Sequence, residues 1–319
     1  MKKSRLSHRI RLVVAALCAA ALALFLVPGV TAQARTSTDR DVRTWNVQVG
    51  QESPDDAIQG MAFLPGTIWI NVGDRITWTA MAGEIHTVTF LAKGHSLTPF
   101  DPFDPTMLFR QGGRHYDGVS YYNSGIMTDE SDSGFPASRT YTLTFDKAGT
   151  FTYWCLVHGM MMKGVVNVRA AGTHYPYSQG QYDRRSAGQA ERIIADGQRL
   201  WARTAALATR STVFAGADDG VAMVMRFIRP TVHVRVGQSV TFRNVGMAAP
   251  HTVTFGPEKA NIFAPYGDPT HFRGGQLNSG IIPPGGSFTV TFTKAGTYAY
   301  ICALHDYLGM KGTVVVSDR

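Results

Sequence analysis

The chain has 319 residues, of which 44% are hydrophobic and 17% are charged, so it can bury the cores of two domains. This composition excludes a chain that is disordered throughout. The formal net charge is +8, but residues 1–34 contain five basic residues and no acidic one, which leaves only +3 on the rest. So small a charge, without a long cluster of lysine or arginine, gives no indication of nucleic-acid binding.

The N-terminal segment has the features of an export signal. A basic start leads into an apolar run over 12–30, and small residues follow up to Ala34. We predict a signal peptide over 1–34 and export to the periplasm or the extracellular face of the cytoplasmic membrane. The alternative is an uncleaved anchor, because the apolar run is close to the shortest that spans a bilayer. Membrane attachment is expected only in that case.

Three blocks of sequence occur twice, in the same order. The block 61–90 matches 225–255 and ends in the same His-Thr-Val-Thr-Phe, and Asn-Ser-Gly-Ile follows each copy. The third block, FDKAGTFTYWCLVHGMMMKGVVNV, begins at 145 and recurs as FTKAGTYAYICALHDYLGMKGTVVV from 292. The chain is therefore an internal duplication.

Both copies alternate between apolar and polar residues with a period of two, and Gly-containing turns separate these runs. This pattern predicts an all-β fold of two tandem β-sandwiches, over 44–169 and 211–319. The segment 170–210 is predicted to be a linker that contains one amphipathic helix within 186–208 and packs against a domain. The apolar residues at helical spacing are Ile193, Ile194, Leu200, Trp201 and Leu207.

Each copy supplies one cysteine, two histidines and one methionine at corresponding places. The two sets are His86, Cys155, His158 and Met162, and His251, Cys302, His305 and Met310. One thiolate and two imidazoles with a weak axial thioether suit both Cu(I) and Cu(II), whereas zinc does not favour a thioether. The loop after His158 is one residue shorter than its counterpart, so Met161 is an alternative to Met162.

The sequence resembles the cupredoxin family, the plastocyanin, pseudoazurin and amicyanin group of blue copper proteins, over 44–169 and 211–319. The motif Cys302-x-x-His305-x-x-x-x-Met310 followed by Lys-Gly carries the resemblance. It implies Greek-key sandwiches, two mononuclear type 1 copper sites and an electron-transfer role.

The resemblance also implies that redox partner proteins dock on an apolar surface near His158 and His305. Here Gly159, the adjacent methionines, Tyr307 and Leu308 would form it. Each upstream histidine is followed by a threonine where the family often has an asparagine, and the two Asn-Ser-Gly-Ile blocks are either turns or supports of the ligand loops.

Three other interpretations are open. Cys155 and Cys302 could form a disulfide in an oxidising compartment, although the repeat places them at equivalent points of separate domains. A multicopper oxidase or nitrite reductase would need further copper ligands, but the chain has no His-x-His pair, and Trp154 and Ile301 precede the cysteines where a reductase has histidine. A copper carrier or storage protein is the third. We expect an electron carrier without enzymatic activity of its own.

Overall fold

A computed structural model describes residues 42–318 of the chain. The predicted signal segment lies outside these residues, so its cleavage stays a prediction. Both copies of the repeat belong to one compact unit. Over the described range, the structure contains no helix that is long and apolar enough to cross a membrane.

The first copy consists of short strands, as the period of two predicts, and one helical turn. Its strands are β1 Thr44–Glu52, β2 Ile58–Leu64, β3 Thr67–Asn71, β4 Arg75–Ala80, β5 Thr89–Phe90, β6 His115–Tyr116, β7 Tyr122–Asn123, β8 Thr140–Phe145, β9 Gly149–Cys155 and β10 Gly159–Arg169, with the helical turn α1 Pro105–Leu108 between β5 and β6.

The second copy repeats this order, without counterparts of α1 and β6, after a long helix, α2 Gln179–Ala206. Its strands are β11 Thr212–Asp218, β12 Ala222–Ile228, β13 Thr231–Arg235, β14 Ser239–Arg243, β15 Thr254–Phe255, β16 Leu277–Asn278, β17 Ser287–Thr291, β18 Gly296–Ile301 and β19 Lys311–Ser317. The predicted all-β class with two sandwiches and an intervening helix is confirmed.

Each copy has a five-stranded sheet of its own, and a nine-stranded sheet runs through both. The five-stranded sheets have the orders β3-β10-β9-β5-β7 and β13-β19-β18-β15-β16. The shared sheet has the order β17-β14-β11-β12-β2-β1-β4-β8-β6. Apolar residues on the alternate positions of facing sheets, such as Trp78, Phe63 and Tyr153, are buried between the layers of the first copy.

The two copies join where strands β2 and β12 pair in antiparallel fashion. Gln59 lies opposite Met223 at the centre of this pairing. These two residues are equivalent in the duplication, so the copies meet about an approximate two-fold axis. The pairing also covers two edge strands, whose free backbone groups would otherwise face solvent or another chain.

Helix α2 begins earlier than the sequence pattern indicates, because a capping box starts it. The Ser178 side chain accepts from the Gln181 amide, and the Gln181 side chain accepts from the Ser178 amide. This exchange satisfies two of the backbone donors that a helix start leaves without partners. The predicted Leu207 is 71% exposed and lies beyond the last helical residue, so its inclusion in the apolar face is wrong.

The apolar face of α2 packs on the shared sheet across the junction of the copies. Ile193 is buried against Ile58 of the first copy and Ala222 of the second. Two turns of helix later, Leu200 packs with strands of the second copy alone. The helix thus covers the sheet at the point where the two copies meet.

Candidate metal centres

The first centre lies where strand β9 ends. Cys155 Sγ is 3.3 Å from His158 Nδ1 and 3.8 Å from His86 Nδ1. A tight turn after β9 places His158 beside Cys155. His86 arrives from a distant part of the chain, and its backbone makes two hydrogen bonds of 2.8 Å with Met127. All three side chains are buried, with at most 3% exposed.

The second centre repeats this arrangement. Cys302 Sγ is 3.4 Å from His305 Nδ1 and 3.7 Å from His251 Nδ1, and the two histidine nitrogens are 3.2 Å apart. The backbone amide of His305 donates to the Cys302 carbonyl at 3.0 Å, which closes the turn. Cys155 and Cys302 are both free and lie in separate cores, so the alternative of a disulfide is wrong.

The local electrostatics favour a thiolate at each centre. Burial opposes ionisation of Cys155, but the charge of His158 and hydrogen bonds from both histidines outweigh it and hold the pKa of the thiol well below its usual range. The pKa of Cys302 is lowered in the same way, by His305 and His251. The thiolate is the form that binds soft metals.

A family model described as copper binding proteins of the plastocyanin/azurin family matches this chain twice, over residues 51–169 and 212–317. These two matches together cover more than half of the chain and coincide with the two copies of the repeat. The chain belongs to this family. The predicted resemblance to cupredoxins is confirmed.

Two named relatives each align with less than half of this cupredoxin. A chloroplastic plastocyanin of Physcomitrium patens is 33% identical over 42% of this chain and 76% of its own length. Amicyanin of Paracoccus denitrificans is 34% identical over 35% of this chain and 83% of its own. A solved amicyanin structure, 30% identical, covers 35% of this chain and 89% of its own, with a TM-score of 0.24.

The residues present in the cupredoxin centres suit copper. In each centre the cysteine sulfur and one nitrogen of each histidine lie within 4.8 Å of one another, all on buried side chains. A thiolate with two imidazoles is a set that serves both oxidation states of copper. Each of the two centres can therefore hold one copper ion through its own His-Cys-His group.

The methionines of the cupredoxin loops differ in burial. Met162 and Met310 have 0% of their surface exposed and lie in the same cores as Cys155 and Cys302. Met160 is 69% exposed. The three methionines of the first copy lie in a register shift of the β9–β10 pairing, between the pairs Gly159–Cys155 and Lys163–Trp154.

Hydrogen bonds tie each ligand loop to the rest of the sandwich. The Leu156 amide donates to Thr87 Oγ1 at 2.8 Å, Thr87 and Thr89 share a hydroxyl contact of 3.0 Å, and Thr89 donates to Asn123 Oδ1 at 3.0 Å. Since Thr89 uses its own proton on Asn123, Thr87 donates to Thr89, and the chain of donors runs in one direction. The first Asn-Ser-Gly-Ile block thus supports the ligand loop.

The same bonds occur in the second copy. The Ala303 amide donates to Thr252 Oγ1 at 2.7 Å, and Thr254 donates to Asn278 Oδ1 at 3.0 Å. The amide of Thr252 also points at Cys302 Sγ, 3.3 Å away. The loops are thus linked by a threonine, Thr87 or Thr252, at the position where the resemblance predicts an asparagine.

A glycine without room for a side chain lies against each upstream histidine. Gly50 has φ of 71° and Gly216 has φ of 70°. A Cβ atom on Gly50 would be 2.5 Å from His86 Nε2, and one on Gly216 would be 2.3 Å from His251 Nε2. The sequence reasoning missed both residues, although a glycine inside the first strand of both copies is a signal of close backbone approach.

The two centres face each other across the junction, and one acidic residue lies between them. Glu84 Oε1 is 3.7 Å from His158 Nε2, and Glu84 Oε2 is 3.8 Å from His305 Nε2. Burial raises the pKa of Glu84, but the two imidazoles outweigh this and lower it below its usual value. The sequence reasoning missed Glu84, because nothing periodic marks an acid two residues before His86.

The apolar patch predicted around the second centre is not a free surface. Leu308 is 2% exposed and lies against Gly83 of the first copy, and the Tyr307 hydroxyl donates to the Gly83 carbonyl at 3.3 Å. His158 and His305 are only 3% and 6% exposed. The prediction is wrong for Tyr307 and Leu308, because the ligand end of the second copy is docked on the first.

The remaining histidines of the described segment form no third centre. His115 is paired with Asp146 at 2.8 Å, and His271 lies 3.5 Å from Asp268, all on exposed side chains. Over residues 42–318, groups of three or more histidine, cysteine or acidic side chains that could hold a metal occur only at the two centres already described.

Proposed function

We propose that this cupredoxin is an exported electron-transfer protein with two mononuclear type 1 copper sites. The observation that carries the proposal is the presence of the same buried His-Cys-His group in both copies. The proposed ligands are His86, Cys155, His158 and Met162 in the first site, and His251, Cys302, His305 and Met310 in the second.

Bound copper would supply a one-electron change between Cu(I) and Cu(II) at each site. The residues of the chain do the rest. They hold the thiolate with backbone amides such as that of Thr87, 3.4 Å from Cys155 Sγ, and they exclude water by burial. A site fixed by packing and by a continuous hydrogen-bond chain needs little rearrangement when its charge changes, which favours fast electron exchange.

We propose Met162 rather than Met161 as the axial ligand of the first site. The complete burial of Met162 beside Cys155 supports this choice, whereas Met161 lies against Gly220 of the other copy. Replacing Met162 with glutamine should change the visible spectrum of the first site, and the matched change Met161→Gln should not. The opposite pattern would assign the axial position to Met161.

We propose a carrier without oxidase or reductase activity of its own. The two groups found within residues 42–318 account for two mononuclear sites and supply no ligands for a further cluster. The purified copper protein, once reduced, should not consume dioxygen or nitrite faster than free copper ions do. Steady turnover of either substrate would contradict the carrier function.

Redox partner proteins are proposed to approach the first site, at its exposed methionine. Met160 is 69% exposed and lies two residues beyond His158, whereas the corresponding end of the second copy is covered. Replacing Met160 with lysine should slow electron exchange with a partner and leave the copper spectrum unchanged. An unchanged rate would move the docking surface elsewhere.

Export is proposed from the basic and apolar N-terminal segment. Mass spectrometry of the protein recovered from cells should find a chain that begins after Ala34, in the periplasmic or extracellular fraction. An intact N-terminus in the membrane fraction would favour the anchor, and recovery from the cytoplasm would contradict export.

The central test is the visible absorption and copper content of the wild type beside Cys155→Ser and Cys302→Ser. Two coppers per chain with intense thiolate-to-copper absorption, of which each variant retains one copper and part of the absorption, would support two type 1 sites. A colourless copper protein would contradict electron transfer by such sites. Retention of both coppers in either variant would contradict the ligand assignment.

A further inference from the structure

The carboxylate of Glu84 is placed to act on both centres at once. In each downstream histidine, Nδ1 faces the cysteine sulfur and Nε2 faces Glu84. The two carboxylate oxygens are divided between the two rings, at 3.7 Å from His158 and 3.8 Å from His305. These distances exceed those of hydrogen bonds, so the contact is one of charge across a buried junction.

The surroundings of Glu84 keep its carboxylate at this place. Glu84 is 3% exposed, and its backbone amide points to Gln59 Oε1, 3.3 Å away, at the centre of the β2–β12 pairing. The preceding Gly83 amide donates to Glu52 Oε2 at 2.8 Å. Within the described residues, Glu84 Oε2 has no hydrogen-bond partner, and His305 Nε2 lies 3.8 Å from it.

The junction is closed from the side of the second copy as well. The Arg226 guanidinium donates to the carbonyl oxygens of Leu308 and of Asp55, which belong to different copies. Together with the contact of Leu308 on Gly83, these bonds hold the ligand loop of the second copy against the first copy. Charges that face each other across a buried contact are weakly screened by salt.

The duplication is asymmetric at this position. By the match of the two repeats, the residue equivalent to Glu84 is Ala249, two residues before His251. Near an approximate two-fold axis, a single carboxylate can contact both rings, whereas a second one would bring two buried negative charges together. One carboxylate shared by both centres therefore requires an acid in one copy, Glu84, and a neutral residue in the other, Ala249.

We propose that Glu84 is a positioning residue shared by the two copper sites, which holds the Nε2 edges of His158 and His305 and thereby couples the two sites within one chain. This inference rests on the proposed function. A negative charge near both ligands stabilises the more positive oxidised state of each site. Glu84, a residue of the first copy, therefore sets a property of the second site.

The first test uses the copper-free chain and does not depend on metal binding. Ring nitrogen signals of His158 and His305 are recorded by NMR in the wild type, in Glu84→Gln and in the control Glu130→Gln, a nearby exposed acid. Glu84→Gln should shift the Nε2 signals of both rings, and Glu130→Gln should shift neither. A shift confined to His158, or no shift, would overturn the shared role.

The second test measures reduction potentials in chains that keep a single copper site. Cys155→Ser leaves only the second site, and adding Glu84→Gln to it should raise the potential of that site. Adding Glu84→Asp, which keeps the charge, should change the potential less. Adding Glu84→Gln to Cys302→Ser tests the first site in the same way. If the potential of the first site rises and that of the second site does not, the coupling is overturned.

The two tests separate this inference from the proposed function. If no blue copper forms in any variant, the electron-transfer function fails, yet the NMR comparison still decides whether Glu84 orients both rings. If blue copper forms and the potentials respond only in the first site, the function stands and the shared role of Glu84 fails. If the Glu84→Gln chain does not fold, Glu84→Asp takes its place, because the shorter side chain moves the carboxylate away from both rings. Shifted ring signals of both His158 and His305 are again expected.

Discussion

The glycine that lies against each upstream histidine gives the sharpest test of the site geometry. A methyl group on Gly50 would lie 2.5 Å from His86 Nε2 and 2.8 Å from Ala82 Cβ. Both neighbours are fully buried, so neither can move into solvent. The His86 ring must therefore turn away from the position in which its Nδ1 faces Cys155.

The cost of Gly50→Ala has two parts. Its φ of 71° is in the left-handed region, where a side chain costs about 1–2 kcal/mol. Overpacking of a buried site adds about 1–3 kcal/mol. We therefore expect the free energy of unfolding of the copper-free chain to fall by roughly 2–5 kcal/mol, and the first site to bind copper more weakly.

The matched control is Gly237→Ala. Gly237 has φ of 85° and nothing within 4 Å of a Cβ atom, so this change carries only the backbone cost. Urea unfolding of the copper-free chains and copper content after loading are the measurements, and the second site should stay intact in Gly50→Ala. Equal destabilisation by the two changes, with two coppers retained, would refute the reasoning.

Three further predictions concern the supports of the fold. Thr87→Ala removes the acceptor of the Leu156 amide and should cost about 1–3 kcal/mol of unfolding free energy in urea, because a buried donor is left without a partner. Ile193→Ala should cost about 2–5 kcal/mol in the same assay, since Ile193 is buried at the junction under α2, and an unchanged midpoint would contradict that packing. Hydrogen bonds from Ser120 lower the pKa of Asp117 to about 2, so its contribution to stability is present above the usual aspartate pKa of about 4 and is lost as the pH falls towards 2. Ser120→Ala should raise that pKa in an NMR titration, and an unmoved titration would reject the cause.

Much of the candidate site follows from the sequence, because its residues stand at fixed places in a repeated pattern. The Cys-x-x-His turn brings two donors together locally, and its recurrence beside a second histidine identifies both sets without a structure. The strands follow from alternation of period two, and the linker helix from apolar residues at helical spacing. Its start at Gln179 was missed, because the capping exchange of Ser178 with Gln181 precedes the apolar face.

The sequence could not indicate how the two copies meet. A repeat makes its copies look alike, and each copy by itself predicts a closed sandwich with its ligand end exposed. The pairing of β2 with β12, the cover of Leu308 on Gly83 and the position of Glu84 between two rings depend on contacts between copies far apart in the chain. Such contacts leave no periodic trace in either partner, so the sequence determines the two metal centres and the tertiary structure alone decides that they face each other.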